Sequence, residues 1–439
     1  MQMIKLSVIA LAVAAASTQM AVASQQSESN GFIEDSSLNA HARALYLNRD
    51  YRNDSARNQK AANGKNQSYR EESGLGLKAI YESGFTQGTV GFGVDAFGLQ
   101  GIKLDSGGGR HGVDMQIFPT DKRSKKAQDN YSQAGGAVKA RISSTTLKYG
   151  EQFVDLPVLS TDDARLLPET TTGFLVTSNE IENLEVNLGH FTALTAMEQT
   201  YHDSSNTGLL KALDLVGARY NFTDNLSAAY YYSDADLKDN KTNKKHYING
   251  NYTLPLADTQ SLNFDFNMYQ SKFDQKGASA DRNKAFSLAA AYTLDAHTLT
   301  AAYQRMSGDV GYDYGYDGGG SIYLANSIQL KDFNAKDEKS YQLRYDLNMD
   351  TLGVPGLSFM TRYVRGSDID VVNSTTGNYD TQNGKRWERN IEAKYVLQSG
   401  AAKDLSFRVR QATYRSEGVL DTPDIDEVRL IVEYPLSIL

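Results

Sequence analysis

Apolar and polar residues alternate with a period of two from near residue 37 to the C-terminus, and this alternation constrains the fold most. It is clearest in segments 262–268, 341–349, 405–410 and 427–434. Such alternation is typical of β-strands, in which successive side chains point to opposite faces of the sheet. One face against lipid and one against a wet lumen would explain it, although a soluble sandwich of two sheets alternates in the same way.

The links between the predicted strands favour the lipid-embedded alternative. Short turn-like links at 82–84, 221–225, 295–297 and 398–400 alternate with long polar segments. The long segments are 53–68, 104–130, 151–172, 192–208, 273–282, 308–338, 367–385 and 416–424. Tight turns at one end and long loops at the other are the pattern of transmembrane β-barrels.

The sequence therefore predicts an all-β fold, a transmembrane antiparallel β-barrel of about 18 strands. The strands are predicted to begin near residues 37, 69, 86, 131, 144, 173, 181, 209, 224, 243, 260, 283, 297, 339, 357, 386, 403 and 425. An even number of strands leaves both termini on the periplasmic side. A barrel of roughly 16–18 strands is too wide for side chains to fill, so we expect a water-filled lumen.

Composition supports an exported barrel and excludes several functional classes. Hydrophobic residues make up only 40% of the chain, yet Tyr (27) and Gly (36) are frequent and Pro (7) is rare. There is no cysteine, which excludes disulfides, thiolate metal sites and thiol nucleophiles. The net charge of −8 argues against nucleic-acid binding. The six histidines are scattered without metal-ligand spacing, so we expect no metal and no cofactor.

The N-terminus has the features of a cleaved secretion signal. Lys5 precedes an apolar run from Leu6 to Ala16, and Ala21-Val22-Ala23 has the small-x-small pattern of a signal-peptidase site. The apolar run is too short to span a bilayer as a helix. We expect residues 1–23 to be the signal peptide, 24–36 a periplasmic N-terminal segment, and 37–439 a barrel in the outer membrane of a Gram-negative bacterium.

Several segments resemble the OprD family of substrate-specific outer-membrane porins, the outer-membrane carboxylate channels. The first is Gly31-Phe32-Ile33-Glu34-Asp35-Ser36. The others are 47–52, 164–170, 189–192, 319–327, 354–357 with 361–363, 387–389 and 433–436. The resemblance covers the mature chain. It implies an 18-stranded pore in lipid that functions as a monomer, although a loose trimer is possible, with inward-folded loops and a ladder of basic residues that guides a substrate carboxylate.

The basic ladder can be assigned to residues by combining strand parity with the resemblance. Parity points Arg43, Lys139, Arg141, Arg344, Arg362, Arg408 and Arg410 into the lumen, while Arg165, Arg389 and Arg429 complete the predicted set. Arginine suits this role because its planar fork of donors binds a carboxylate bidentately. Alternatively, these arginines merely pair with wall carboxylates such as Glu392, Glu427 and Glu433.

Two loops are predicted to narrow the lumen. Segment 151–172 is the expected constriction loop, with an apolar part packed inside and Asp162 and Asp163 facing the path. Segment 308–338 contributes Asp313 and Asp317, followed by Ser321 and Tyr323. Opposed acidic and basic sides would create a transverse field across the pore. The acidic half of segment 308–338 could equally be a mobile outer loop or an incidental cation site.

The predicted function is passive, selective diffusion of small carboxylates, with aromatic acids such as benzoate slightly preferred. A channel for basic amino acids, small peptides and carbapenem-like antibiotics is the alternative, because it would need the acidic patch as well as the ladder. An outer-membrane barrel hydrolase or an adhesin is the alternative of another class. The common catalytic motifs are absent from the sequence, and a sealed lumen would contradict the channel.

Overall fold

The computed structural model describes residues 24–52, 67–106, 109–201, 210–275, 277, 279–314, 320, 322–372, 379–419 and 423–439. The predicted signal peptide therefore lies outside the described residues. The strands in chain order are β1 (Ser37–Arg52), β2 (Tyr69–Glu82), β3 (Val90–Asp105), β4 (Asn130–Ile142), β5 (Thr145–Gln152), β6 (Asp155–Leu156), β7 (Leu159–Ser160), β8 (Thr170–Ile181), β9 (Leu184–Thr195), β10 (Leu210–Thr223), β11 (Leu226–Leu237), β12 (Lys241–Ala257), β13 (Gln260–Gln275), β14 (Asp281–Leu294), β15 (His297–Gly308), β16 (Lys339–Asn348), β17 (Leu357–Val372), β18 (Tyr379–Val396), β19 (Ser406–Glu417) and β20 (Asp424–Ser437).

Eighteen of these strands form one closed antiparallel barrel. Each of these strands is hydrogen-bonded to the wall strands that precede and follow it in the chain. Because β1 pairs with both β2 and β20, the sheet has no free edge. The short strands β6 and β7 form a separate hairpin inside the link between β5 and β8. The prediction of an 18-stranded transmembrane barrel is confirmed. Within the described residues, no helix has the length and apolar character needed to cross a membrane.

The apolar residues of the alternating pattern lie on the outer face of the barrel wall, and the polar residues lie on the inner face. On β16, Tyr341 and Leu343 project outward and are more than half exposed, whereas Gln342 is buried on the inward face. An exposed apolar surface of this kind is expected where lipid replaces water around the barrel. The inward face carries the polar side chains that would line an aqueous lumen.

The links follow the predicted pattern with two exceptions. Segment 367–385, predicted as a loop, is largely strand, because β17 extends to Val372 and β18 begins at Tyr379. The ends of these two strands could not be recognised in the sequence, because they are rich in polar residues. The backbone hydrogen bonds between the strands continue beyond the point where the hydrophobic alternation stops. The link between β11 and β12 is only a tight turn at Lys238–Asn240, with Asp239 in the left-handed region (φ 59°). Strict alternation of short and long links is therefore wrong at this turn.

The N-terminal segment 24–36 closes against the end of the barrel that carries the short links. The Gln26 side chain donates hydrogen bonds to the carbonyl oxygens of Thr86 (2.9 Å) and Gly88 (3.1 Å) and accepts one from Arg141 Nε (3.0 Å). At the opposite end of the chain, the backbone N–H of Ile438 donates to Leu38 O (2.8 Å). Both described termini thus lie at the same mouth of the barrel.

Candidate functional site in the barrel lumen

Three long loops fold into the lumen instead of extending away from it. We name their described residues loop A (106 and 109–129), loop B (153–169) and loop C (309–314, 320 and 322–338). Loops B and C share one buried cluster with the inward faces of β9–β15. Loop A shares a second cluster with loop B and the wall near β1, β3 and β4. The pathway is therefore a narrow passage between loops and wall.

The apolar part of loop B packs against the wall, as the predicted constriction segment 151–172 would require. Val158 and Leu159, in the β6–β7 hairpin, are at most 1% exposed. They lie in one cluster with Tyr231, Tyr247 and Tyr269 of the wall. The Tyr269 hydroxyl donates to Pro157 O (3.0 Å), which fixes the hairpin tip. This packing holds the loop across the lumen.

The acidic end of loop B faces the basic wall. Asp163 accepts a hydrogen bond from Arg43 Nη1 (2.7 Å) and lies 3.3 Å from Lys78 Nζ. Asp162 instead accepts from the backbone N–H of Ala164 (2.8 Å), and burial raises the pKa of its carboxyl group. Of the two predicted constriction aspartates, Asp163 alone contacts the ladder.

Loop C reaches loop B through hydrogen bonds. The Tyr323 hydroxyl donates to Asp155, and burial together with this bond raises the pKa of the tyrosine. The backbone N–H of Gly320 donates to Glu169 Oε2 (3.2 Å). Asp313 lies on loop C near Lys245 of β12. The predicted residues Asp317 and Ser321 lie outside the described part of the chain.

Arginines concentrate on the inward faces of β16–β20 and β1. Arg410 of β19 is the register partner of Arg429 on β20, and Arg344 of β16 is the partner of Arg362 on β17. A second row joins Glu427 of β20 to Arg49 of β1. Six strands, of which β1 is far from the others in sequence, thus bring their charges to one side of the lumen, because β20 adjoins β1 on closure.

Several members of this wall are already paired, as the alternative interpretation of the ladder anticipates. Arg43 Nε donates to Glu433 (2.9 Å). Arg49 Nε and Arg429 Nε both donate to the fully buried Glu427, at 2.8 and 2.6 Å. These ion pairs hold the wall and leave fewer donors for a solute.

Arg408 and Arg410 also share one carboxylate, but they differ from Arg49 and Arg429 because their side chains are more exposed. Glu392 lies 3.6 Å from Arg408 Nε and 2.9 Å from Arg410 Nε. Neither Nε makes a hydrogen bond of good geometry to any group in the described residues. The side chains are about a quarter exposed, 27% for Arg408 and 22% for Arg410. Two cations facing one anion leave this part of the wall with excess positive charge.

The remaining predicted ladder residues are distributed along the pore. Arg344 is held bidentately by Asp346 (2.7 Å), and the buried Arg362 donates to Asn390 (2.9 Å). Lys139 lies 2.7 Å from Asp95, near the short-link mouth. Arg141, at the same mouth, lies over the Phe85 ring at 4.1 Å. Lys139 and Arg141 are thus separate from the Arg408–Arg410 pair, whereas Arg344 and Arg362 are close enough to Glu392 to interact with it electrostatically.

Two loop cations stand next to the wall without a carboxylate partner among the described residues. Arg165 donates to Met115 O (3.1 Å), and burial, Arg429 and Arg49 lower its pKa to about 9. Lys331 of loop C lies over the Tyr414 ring at 5.2 Å, and burial, Arg386 and Arg49 lower its pKa to about 8. A bound anion would relieve the repulsion at both positions.

Comparison with known proteins decides the family. A family model described as "outer membrane porin, OprD family" matches residues 30–438. The chain belongs to the OprD family of outer-membrane porins. Porin D of Pseudomonas aeruginosa is 48% identical over 463 aligned residues that cover 100% of both chains. Porin-like protein GalP of Pseudomonas putida is 32% identical over 423 residues, covering 94% of this chain and 95% of GalP.

Solved structures of OprD-family porins have the same fold. The crystal structure of Pseudomonas aeruginosa OprD matches with 46% identity and a TM-score of 0.75, over 95% of this chain and 100% of OprD. Acinetobacter baumannii OccAB1 matches with 35% identity and a TM-score of 0.84, over 95% of this chain and 100% of OccAB1. The protein is thus a substrate-specific channel of the outer membrane and not an enzyme. Its short links are periplasmic and its long loops extracellular.

Arg389, assigned to the ladder from the sequence, does not point into this porin's lumen. It is exposed on the outward face of β18, in register with the outward-facing Tyr363 of β17. Ile391, two residues further along, shares that face and is 47% exposed. The assignment followed the resemblance of 387–389, whereas the period of two puts Arg389 on the lipid side.

Several lumen cations were missed from the sequence. Arg49 and Arg70 lie on the inward faces of β1 and β2, and Asp114 of loop A is within 3.7 Å of both. Arg386 forms a buried ion pair with Glu338 of loop C. Strand parity already indicates Arg49, which lies on the same face as Arg43. No sequence signal places Lys331, because its position depends on how loop C folds.

Removing the buried carboxylate of Glu427 is expected to destabilise the porin by about 3 kcal/mol, since Glu427→Gln deprives the buried Arg429 of its ion-pair partner and Arg49 of one of its two carboxylate partners. Urea unfolding in lipid, followed by fluorescence of the single Trp, measures this loss. The control is Asp346→Asn, which unpairs the more exposed Arg344 and should cost less than about 1 kcal/mol. Equal losses in both variants would contradict a structural role for the Glu427 cluster.

Proposed function

We propose that this porin conducts small carboxylates, with a slight preference for simple and aromatic acids such as benzoate, along the arginine side of its lumen. The observation that carries the proposal is the excess charge at Arg408 and Arg410, which share one carboxylate. The two Nε atoms are buried, but the side chains are about a quarter exposed, so a solute carboxylate would bind the terminal guanidinium nitrogens. Charge on a narrow, low-dielectric path is screened less than charge in bulk water.

The order of the cations along the barrel supports a stepwise passage. Lys331 lies near the extracellular mouth, and Arg165 follows between loops A and B. Arg410 and Arg408 come next towards the periplasm, on successive inward positions of β19. Similar sites in series let an anion bind and leave without being trapped. A single barrel contains all of these residues, which supports our expectation that one chain suffices for transport.

The state of the acidic side chains favours a simple carboxylate over a basic amino acid. A basic substrate needs carboxylates that are free to bind its cation. Asp163 already contacts Arg43 and Lys78, and Asp155 accepts hydrogen bonds from Tyr323 and Ser160. Because these groups are occupied, the loop side offers less attraction to a cation than the wall offers to an anion.

The test is the reversal potential of the purified porin in planar bilayers under gradients of sodium benzoate and of arginine chloride. We expect benzoate to be more permeable than sodium, and the argininium ion to be no more permeable than sodium. Benzamide, a neutral analogue, should not reduce the benzoate current at equal concentration. A channel that prefers argininium to benzoate would contradict the proposed substrate and support the alternative for basic amino acids.

A further inference from the structure

Five consecutive strands, β14–β18, carry the same pair of residue types on their lipid-facing side. Each has an outward aromatic residue, and these are Phe286, Tyr303, Tyr341, Tyr363 and Trp387. Two positions nearer the extracellular end, each has an outward basic residue, and these are Lys284, Arg305, Lys339, Arg365 and Lys385. We call the five basic residues the outer basic belt. None of them belongs to the transport pathway.

The aromatic residues form a band that marks a membrane boundary. The ring centroids of Phe286 and Tyr303 are 5.9 Å apart, and those of Tyr303 and Tyr341 are 5.0 Å apart. Tyr363 and Trp387 stack at 5.7 Å. Aromatic girdles of barrels lie at the membrane–water interface. The outer basic belt, one step further out on each strand, therefore stands at the level of the lipid head groups in the outer leaflet.

Four of the five charges of the belt form no ion pair with the described part of the protein. Arg305 and Lys339 are direct register partners across β15 and β16, an arrangement of like charges that destabilises a sheet. Lys339 is paired with Asp368 (2.8 Å). Lys284, Arg305, Arg365 and Lys385 are exposed and form no ion pair with any residue that the structure describes. An external anion would remove this repulsion.

Several outward cations of other strands near the extracellular end are paired within the protein. Arg52 contacts Asp426 at 2.9 Å, and Arg110 contacts Glu71 at 2.7 Å. Lys244 lies 3.2 Å from Asp234. The belt is thus a one-sided feature of β14–β18 and differs from the average outward surface at this level.

We propose that the outer basic belt binds the phosphate groups of lipid A, the phosphorylated glycolipid of the outer leaflet. Arginine and lysine supply charge-assisted hydrogen bonds to phosphate, and arginine does so bidentately. The aromatic band directly below the belt offers a surface for the acyl chains of the same lipid. The site is on the outside of the barrel, so it is independent of the solute pathway.

The experiment measures lipid A binding to the full-length porin in detergent micelles by native mass spectrometry. The belt variant is Lys284→Gln with Arg305→Gln, Arg365→Gln and Lys385→Gln. Each basic side chain near an anionic lipid surface contributes a few-fold to binding, so we expect bisphosphorylated lipid A to bind at least about tenfold more weakly to this variant. Dephosphorylated lipid A should bind both proteins equally, since the variant retains the aromatic band.

The matched control removes four cations from the exposed tip of loop A, as Lys122→Gln, Arg123→Gln, Lys125→Asn and Lys126→Gln. This variant should bind bisphosphorylated lipid A like the unaltered porin. Unchanged conductance in potassium chloride establishes that the belt variant has folded. An equal loss in both variants, no loss in the belt variant, or a change in oligomeric state without a change in lipid binding would each overturn the proposal.

Discussion

The double variant Arg408→Gln, Arg410→Gln is expected to lower the benzoate-to-sodium permeability ratio by about tenfold, the lower end of what charge focusing in a cleft provides. Two cations share one carboxylate in the unaltered wall, so the substitutions convert a net positive patch into a net negative one around Glu392. Conductance in potassium chloride should change by less than about twofold, because small ions do not depend on bidentate contacts.

The matched control for this variant is Arg365→Gln, Arg389→Gln. It removes two arginines from the neighbouring strands β17 and β18, but both side chains point to the lipid. Its permeability ratio should equal that of the unaltered porin. A loss of benzoate selectivity in the control as large as in the lumen variant would show that overall charge, and not the pathway, determines selectivity.

Replacing residues 155–160 of loop B by a short Gly-Ser link is expected to raise single-channel conductance severalfold and to reduce selectivity. The β6–β7 hairpin spans the lumen, anchored by the nearly inaccessible Val158 and Leu159 and by the Tyr269 hydrogen bond to Pro157. Its removal also releases Tyr323, which donates to Asp155. A wider, wetter passage screens the arginine wall more strongly.

The control for the loop deletion shortens the exposed tip of loop A between residues 122 and 126, which contains none of the candidate site residues. That variant should keep the conductance and selectivity of the unaltered porin. If the hairpin deletion leaves the conductance unchanged in single-channel recordings, loop B is not the constriction and the narrowest point must lie elsewhere in the lumen.

The fold could be predicted from the sequence because its determinants are local. Alternation of apolar and polar residues reports which side of the wall each residue faces, and it correctly separates Tyr341 from Gln342. The same rule places Arg408 and Arg410 in the lumen. At Arg389 the same rule points to the lipid, and the assignment to the lumen that follows from the resemblance of 387–389 is wrong. Where strands leave the lipid, as at the ends of β17 and β18, the alternation stops and prediction fails.

The arrangement inside the barrel could be predicted only in part. The inward fold of loop A depends on Met115, Ile117 and Phe118, which form too short an apolar stretch to give a recognisable periodic pattern. The pairing of Arg43 with Glu433 joins residues at opposite ends of the chain. Such contacts depend on register and closure, which are properties of the whole sheet. Which charged residues lack an ion-pair partner can therefore be determined only from the folded barrel.

The central claim, that carboxylates pass along Arg408 and Arg410, is tested most directly by single-channel recording with benzoate added to the extracellular side. We expect brief, concentration-dependent interruptions of the potassium chloride current in the unaltered porin and in the Arg365→Gln, Arg389→Gln control. The interruptions should disappear in the Arg408→Gln, Arg410→Gln variant. Interruptions of equal frequency and duration in all three proteins would contradict the claim.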